Sequence, residues 1–132
     1  MIVAIICVAL LALLVFGLGF LVSISRGKAE MIIGTPDDPS DLLFKAIRAH
    51  GNTIEYVPIL AVLMLYLGST APDSWIIWTM VAVTLARYLI VIGLLFPATM
   101  SQPNPMRFIG ALLTYVGGFT LVVATLLSIV RI

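Results

Sequence analysis

At 132 residues, 62% hydrophobic and 10% charged, the chain carries too much apolar surface for a soluble domain of its size. A net charge of +1, spread over few basic residues, excludes a surface that tracks a nucleic-acid backbone. One cysteine, Cys7, and one histidine, His50, exclude an intrachain disulfide and leave no donor cluster for a metal centre.

Residues 1–22 contain no charged side chain, and about 22 residues at ~1.5 Å each cross a hydrocarbon core of ~30 Å. This predicts a first transmembrane helix over about residues 2–24. It has no basic leading region of the kind a cleaved signal peptide needs. Cys7, inside the apolar run, reads as a small buried hydrophobe.

Residues 23–40 form the long polar connection, with Arg26, Lys28, Glu30 and the turn-forming run Gly34, Thr35, Pro36, Asp37, Asp38, Pro39 and Ser40. Asp38 is expected to cap the second helix, with Pro39 at its first position and Asp41 in its first turn. The helix should run over about residues 39–68, longer than a bilayer requires, so that its first turns stand in the headgroup zone. Pro58 removes one of its backbone hydrogen bonds.

The polar residues of this second helix are not scattered. At 100° per residue, Asp41, Lys45, Arg48, Asn52 and Glu55 fall within an arc of about 80°, whereas His50 lies roughly 200° from Arg48. A charge held within a bilayer costs at least about 2.5–3.5 kcal/mol, so each such group needs a partner or a wet cavity. The face is therefore either an ion-pair network between helices or a site for a zwitterionic or anionic ligand.

Residues 69–73 make a short turn, and Asp73 is placed to cap a third helix over residues 74–96. Trp75 and Trp78 at its start suit interfacial anchors. Arg87, near its middle, is the most expensive residue in the chain to bury. A second loop ends at Asn104 and Pro105, a good cap and first residue for a fourth helix over residues 105–130, with Arg107 in its first turn. Thr114, Tyr115, Thr120, Thr125 and the pair Gly117 and Gly118 read as packing positions.

No repeat or second domain interrupts the chain, so residues 1–132 read as one all-α, four-helix membrane bundle. Arg26, Lys28, Lys45 and Arg107 flank the first and third connections, and the middle turn holds only Asp73. The positive-inside rule then puts those two connections in the cytoplasm and both termini outside, despite Arg131. Counted along the helices, Glu55 lies about 9 Å and Arg87 about 13 Å below the cytoplasmic surface. Opposite charges at similar depth predict a structural Glu55–Arg87 ion pair, with Arg48 and Arg107 nearer the boundary.

The motif Arg48, Ala49, His50, x, Asn52, x, x, Glu55, Tyr56, x, Pro58 resembles the signature of the MAPEG family, membrane-associated proteins in eicosanoid and glutathione metabolism, and the flanking residues look most like its bacterial branch. An arginine within the third helix and Arg107-x-x-Gly110 at the start of the fourth extend the resemblance over essentially the whole chain. It implies a homotrimer in a bacterial inner membrane that binds glutathione between subunits, on the cytoplasmic side. Arg48, Asn52 and Glu55 would then hold the peptide, Arg26 a further carboxylate, and Arg107 the thiolate. The implied activity is that of a microsomal-type glutathione S-transferase or peroxidase, whose lipophilic electrophiles arrive through the membrane lipids.

The chain departs from that pattern at Ile90 and Leu94, where catalytic relatives tend to carry His or Tyr, and at Gly51, where some carry arginine. Those apolar positions motivate an alternative, a non-catalytic lipid-binding or accessory subunit of a larger membrane complex. A transporter or proton relay would draw only on Glu55 and Arg87.

Overall fold

The computed structural model describes residues 1–130, and Arg131 lies outside the described residues. Four helices follow one another: α1 (Ile2–Ala29), α2 (Leu42–Ser69), α3 (Ser74–Leu95) and α4 (Pro105–Val130). Each is long and apolar enough to cross a membrane, so the chain is an all-α, multi-pass membrane protein.

The ends of these helices follow from local chemistry. α1 continues past its charge-free stretch through Arg26 and Lys28, cations that complement the C-terminal end of the helix dipole. It stops at Glu30, whose left-handed backbone (φ 53°) turns the following Met31 N–H back onto the Arg26 carbonyl at 3.2 Å. The Arg26 guanidinium then gathers the loop back, donating from Nη1 to the carbonyls of Gly34 (2.9 Å), Ile32 (3.4 Å) and Met31 (3.5 Å).

α2 starts later than the sequence predicts, because Asp41 and not Asp38 is its cap. The Asp41 carboxylate accepts from the Leu43 and Phe44 N–H groups at 2.6 and 3.3 Å. Asp38 instead closes its own turn, accepting from the Ser40 hydroxyl at 2.7 Å and the Ser40 N–H at 2.8 Å. Those two bonds hold its carboxyl below the usual aspartate range. Downstream, α2 stays helical through Pro58. At α4, the Asn104 side chain accepts from the N–H groups of Met106 (2.9 Å) and Arg107 (3.2 Å).

α2 and α3 form the centre of the bundle. α1 packs mainly on α2 and α4 mainly on α3. One cluster joins Cys7 and Leu11 of α1, Leu60 and Met64 of α2, Met80 and Val83 of α3, and Leu121 of α4. A second, toward the other end, joins Leu14, Leu18, Ala49, Ile90 and Leu94. Glycine sets the spacing of α3 and α4: a Cβ on Gly110 would stand 2.9 Å from the Ala86 carbonyl oxygen, and one on Gly117 would collide with Val83.

The outward sides of α1 and α4 are apolar, with Phe16, Phe20, Phe108, Phe119 and Leu126 exposed as expected of a surface solvated by acyl chains. Trp75 and Trp78 are exposed at the start of α3. At the other end of the bundle the two long connections are tied across the structure. The Met100 N–H donates to the Pro39 carbonyl at 3.0 Å, and Lys45 Nζ to the Pro97 carbonyl at 3.2 Å.

Candidate functional site

The face of α2 that carries Arg48 and Asn52 meets α3 and α4 beside these tied loops. A cleft of about 170 Å³ opens there, lined by Arg48 and Asn52 of α2, Ile90 and Leu94 of α3, Met100 of the loop, and Arg107 and Ala111 of α4. Arg48 is exposed at its edge. Arg107 is half-buried and oriented by the loop, donating from Nη1 to the Met100 carbonyl at 3.1 Å and from Nη2 to the Gln102 carbonyl. Neutral carbonyls leave its positive charge uncancelled, so the cleft holds two guanidinium groups and an amide against an apolar floor. Gly93 makes room for this arginine, because a Cβ there would lie 2.9 Å from Arg107 Cγ.

Asn52, Ile90 and Ala111 also line a smaller chamber of about 30 Å³, completed by Tyr56, Arg87, Thr114 and Tyr115. Arg87 is 0% exposed, and its Nη2 donates to both oxygens of Asn52, the side-chain carbonyl at 2.7 Å and the backbone carbonyl at 2.9 Å. Its guanidinium carbon lies 5.0 Å from the centroid of the Tyr56 ring, close enough for a cation–π attraction. The Tyr56 hydroxyl is hydrogen-bonded to that of Tyr115 at 2.8 Å, and the two rings meet edge to face at 5.8 Å.

This arrangement corrects the expected Glu55–Arg87 pair. Among the described residues Arg87 makes no ion pair with Glu55, which is exposed on α2, one turn beyond Asn52. Depth alone suggested the pair. The direction of the arginine is set by α2 packing on α3, which turns Asn52 and Tyr56 inward at that level and supplies carbonyl oxygens and a π face in place of a carboxylate.

The other polar residues of the motif separate. Arg26 is committed to the loop carbonyls and does not line the cleft. Asp41 is a helix cap, Lys45 a cross-tie, and His50 lies toward Gly19 of α1, on the far side of α2 from Arg48. Tyr56 and Tyr115 join the chamber although Tyr115 reads from the sequence as a packing position. Tyr56 stands four residues after Asn52 and shares its helix face, a signal available in the sequence, but Tyr115 reaches it only through the packing of α4 on α2. Among the described residues no group of three His, Cys, Asp or Glu could hold a metal ion.

The sequence model of the MAPEG family matches residues 4–127. The chain is also similar to the inner membrane protein YecN of Escherichia coli strain K12 and of strain O6:H1, each 46% identical over 35 residues. That stretch is 26% of this chain and spans 27% of the length of each relative. No solved structure matches the chain.

Proposed function

The chain belongs to the MAPEG family, and from that premise we propose that it is a membrane-bound glutathione-dependent transferase or peroxidase acting on lipophilic electrophiles. The observation that carries this reading is the cleft in which Arg48 and Arg107 stand on different helices with Asn52 between them. Glutathione has two carboxylates, an ammonium and a thiol. The Arg48 guanidinium suits a carboxylate end, Asn52 the peptide groups, and the exposed Glu55 on the same helix face the ammonium. A guanidinium beside the sulfur favours the thiolate, the nucleophilic form. Arg107 is the residue to which that role falls, because its loop bonds fix it in place without neutralising it.

On this reading the cleft opens to the cytoplasm, both termini lie outside, and the protein works as a homotrimer. Arg26 acts on the ligand only through the loop it holds. A second reading is favoured by one feature of the same cleft: Ile90 and Leu94 form an apolar floor without a hydroxyl or imidazole to grip sulfur. In that case the protein is a non-catalytic, lipid-binding or accessory subunit of a larger membrane complex.

Calorimetric titration of the detergent-solubilised protein with glutathione separates the two. Binding should weaken about tenfold in Arg48→Ala, the loss of one charge-assisted contact, while Arg107→Ala should retain binding and lose turnover of a lipophilic electrophile. Wild-type protein that ignores millimolar glutathione would favour the accessory-subunit reading.

A further inference from the structure

The connection between α1 and α2 is polar by composition, yet it holds the two most exposed large hydrophobic side chains among the described residues, Ile32 at 89% and Ile33 at 87%. Neither belongs to the two clusters that hold the bundle together. The polar residues Thr35, Asp37, Asp38 and Ser40 all follow Gly34, whose φ of 93° turns the chain between an apolar tip and a polar run. Two neighbouring isoleucines held open in this way mark a contact surface.

What meets that surface follows from its depth. The unbroken apolar stretch of α1 ends at Val22, and Arg26 stands four residues, or about 6 Å, farther along the axis. The headgroup zone adds roughly 5–7 Å beyond the hydrocarbon core on each side, so Arg26 stands within it. Its guanidinium collects the carbonyls of Met31, Ile32 and Gly34, and the Met31 N–H returns to the Arg26 carbonyl. These bonds keep residues 31–34 beside the last turns of α1, and they satisfy backbone groups that would otherwise require water. An element lying at that level buries its apolar side chains about 5–10 Å, into the boundary between headgroups and acyl chains.

We infer that Ile32 and Ile33 form a wedge that inserts into the acyl boundary of the leaflet from which α1 emerges, with Arg26 as the clamp that presents it. The partner is the apolar part of a phospholipid. Anionic headgroups are not required, because Glu30, Asp37 and Asp38 offset Arg26 and Lys28 in the same connection. The wedge shares no residue with the cleft at Arg48 and Arg107 and stands or falls without glutathione.

The test is spin-label accessibility in phosphatidylcholine proteoliposomes, with a nickel chelate present on both sides of the bilayer. In a Cys7→Ala background, a nitroxide is attached to Ile33→Cys or, for comparison, to Asp37→Cys in the polar run. Both positions are exposed, so labelling displaces no packed side chain. The expected result is that the label at position 33 collides readily with oxygen and rarely with nickel, whereas the label at position 37 collides freely with nickel. Adding Ile32→Asn should raise nickel collisions at position 33 toward the value at 37. Frequent nickel collisions at position 33 would place the tip in water, and infrequent collisions with both reagents would place it against another protein surface; either result overturns the assignment. So would an Ile32→Asn variant with unchanged collisions, since the label alone would then account for the insertion.

Discussion

Asn52 does more for this protein than its small size suggests. Its side-chain oxygen and its backbone carbonyl together receive one nitrogen of a fully buried arginine, so the direct hydrogen-bond partner of Arg87 in the bilayer is an amide. Asn52→Ala should therefore destabilise the protein by about 2 kcal/mol, the usual worth of a hydrogen bond to a buried charge. Glu55→Gln should change stability by less than about 0.5 kcal/mol, because an exposed side chain is exchanged for one of the same shape. Denaturant unfolding in detergent micelles, without ligand, compares the two; a larger loss in Glu55→Gln would restore the carboxylate as the partner of Arg87. The existence of an intramembrane cluster was legible from the 80° arc on α2. The identity of the partners was not, because helical spacing gives the angle of a residue on its own helix and says nothing about the rotation of the next one.

Among the helices, the α3–α4 pair is the one whose contact is defined most sharply, and glycine defines it. Gly110→Ala would push a methyl against the Ala86 backbone carbonyl, which cannot turn aside, and should cost about 1–3 kcal/mol. Gly51→Ala meets nothing within 4 Å and should be neutral or stabilising by up to about 1 kcal/mol. Paired thermal melts of the two variants check this, and a stable Gly110→Ala would mean that α4 can slide on α3. The glycine of Arg107-x-x-Gly110 was visible in the sequence, yet its role as a spacer became apparent only when α3 was set beside it. The start of α2 shows a similar limit. Asp38 and Asp41 are both competent caps, and the choice between them rests on the Ser40 hydroxyl, which occupies the first.

At the scale of the whole molecule, the two flanking helices leave broad apolar surfaces uncovered. Four spans were legible because length and hydropathy are written directly into each apolar run. Assembly is not legible in that way, since a surface that meets lipid and one that meets another subunit can have the same composition. Orientation is open to experiment. With the basic residues of the first and third connections held in the cytoplasm, a phosphatase reporter that works only outside the membrane should be active when fused after residue 132 and inactive when inserted near residue 101. The reverse pattern would turn the cleft to the outside and separate it from cytoplasmic glutathione.

The tied loops bear on how the chain is made. α1 with α2 and α3 with α4 are each complete hairpins, and the bonds from Met100 to Pro39 and from Lys45 to Pro97 cross from one hairpin to the other. As the chain leaves the ribosome, the first hairpin can settle in the membrane by itself. Its Pro39 carbonyl and its Lys45 ammonium must wait, hydrated, for about fifty to sixty residues of further synthesis before residues 97–100 arrive to meet them. Closing this end of the bundle is therefore a late step in biogenesis, and until it occurs the newborn protein has its membrane spans without its cleft.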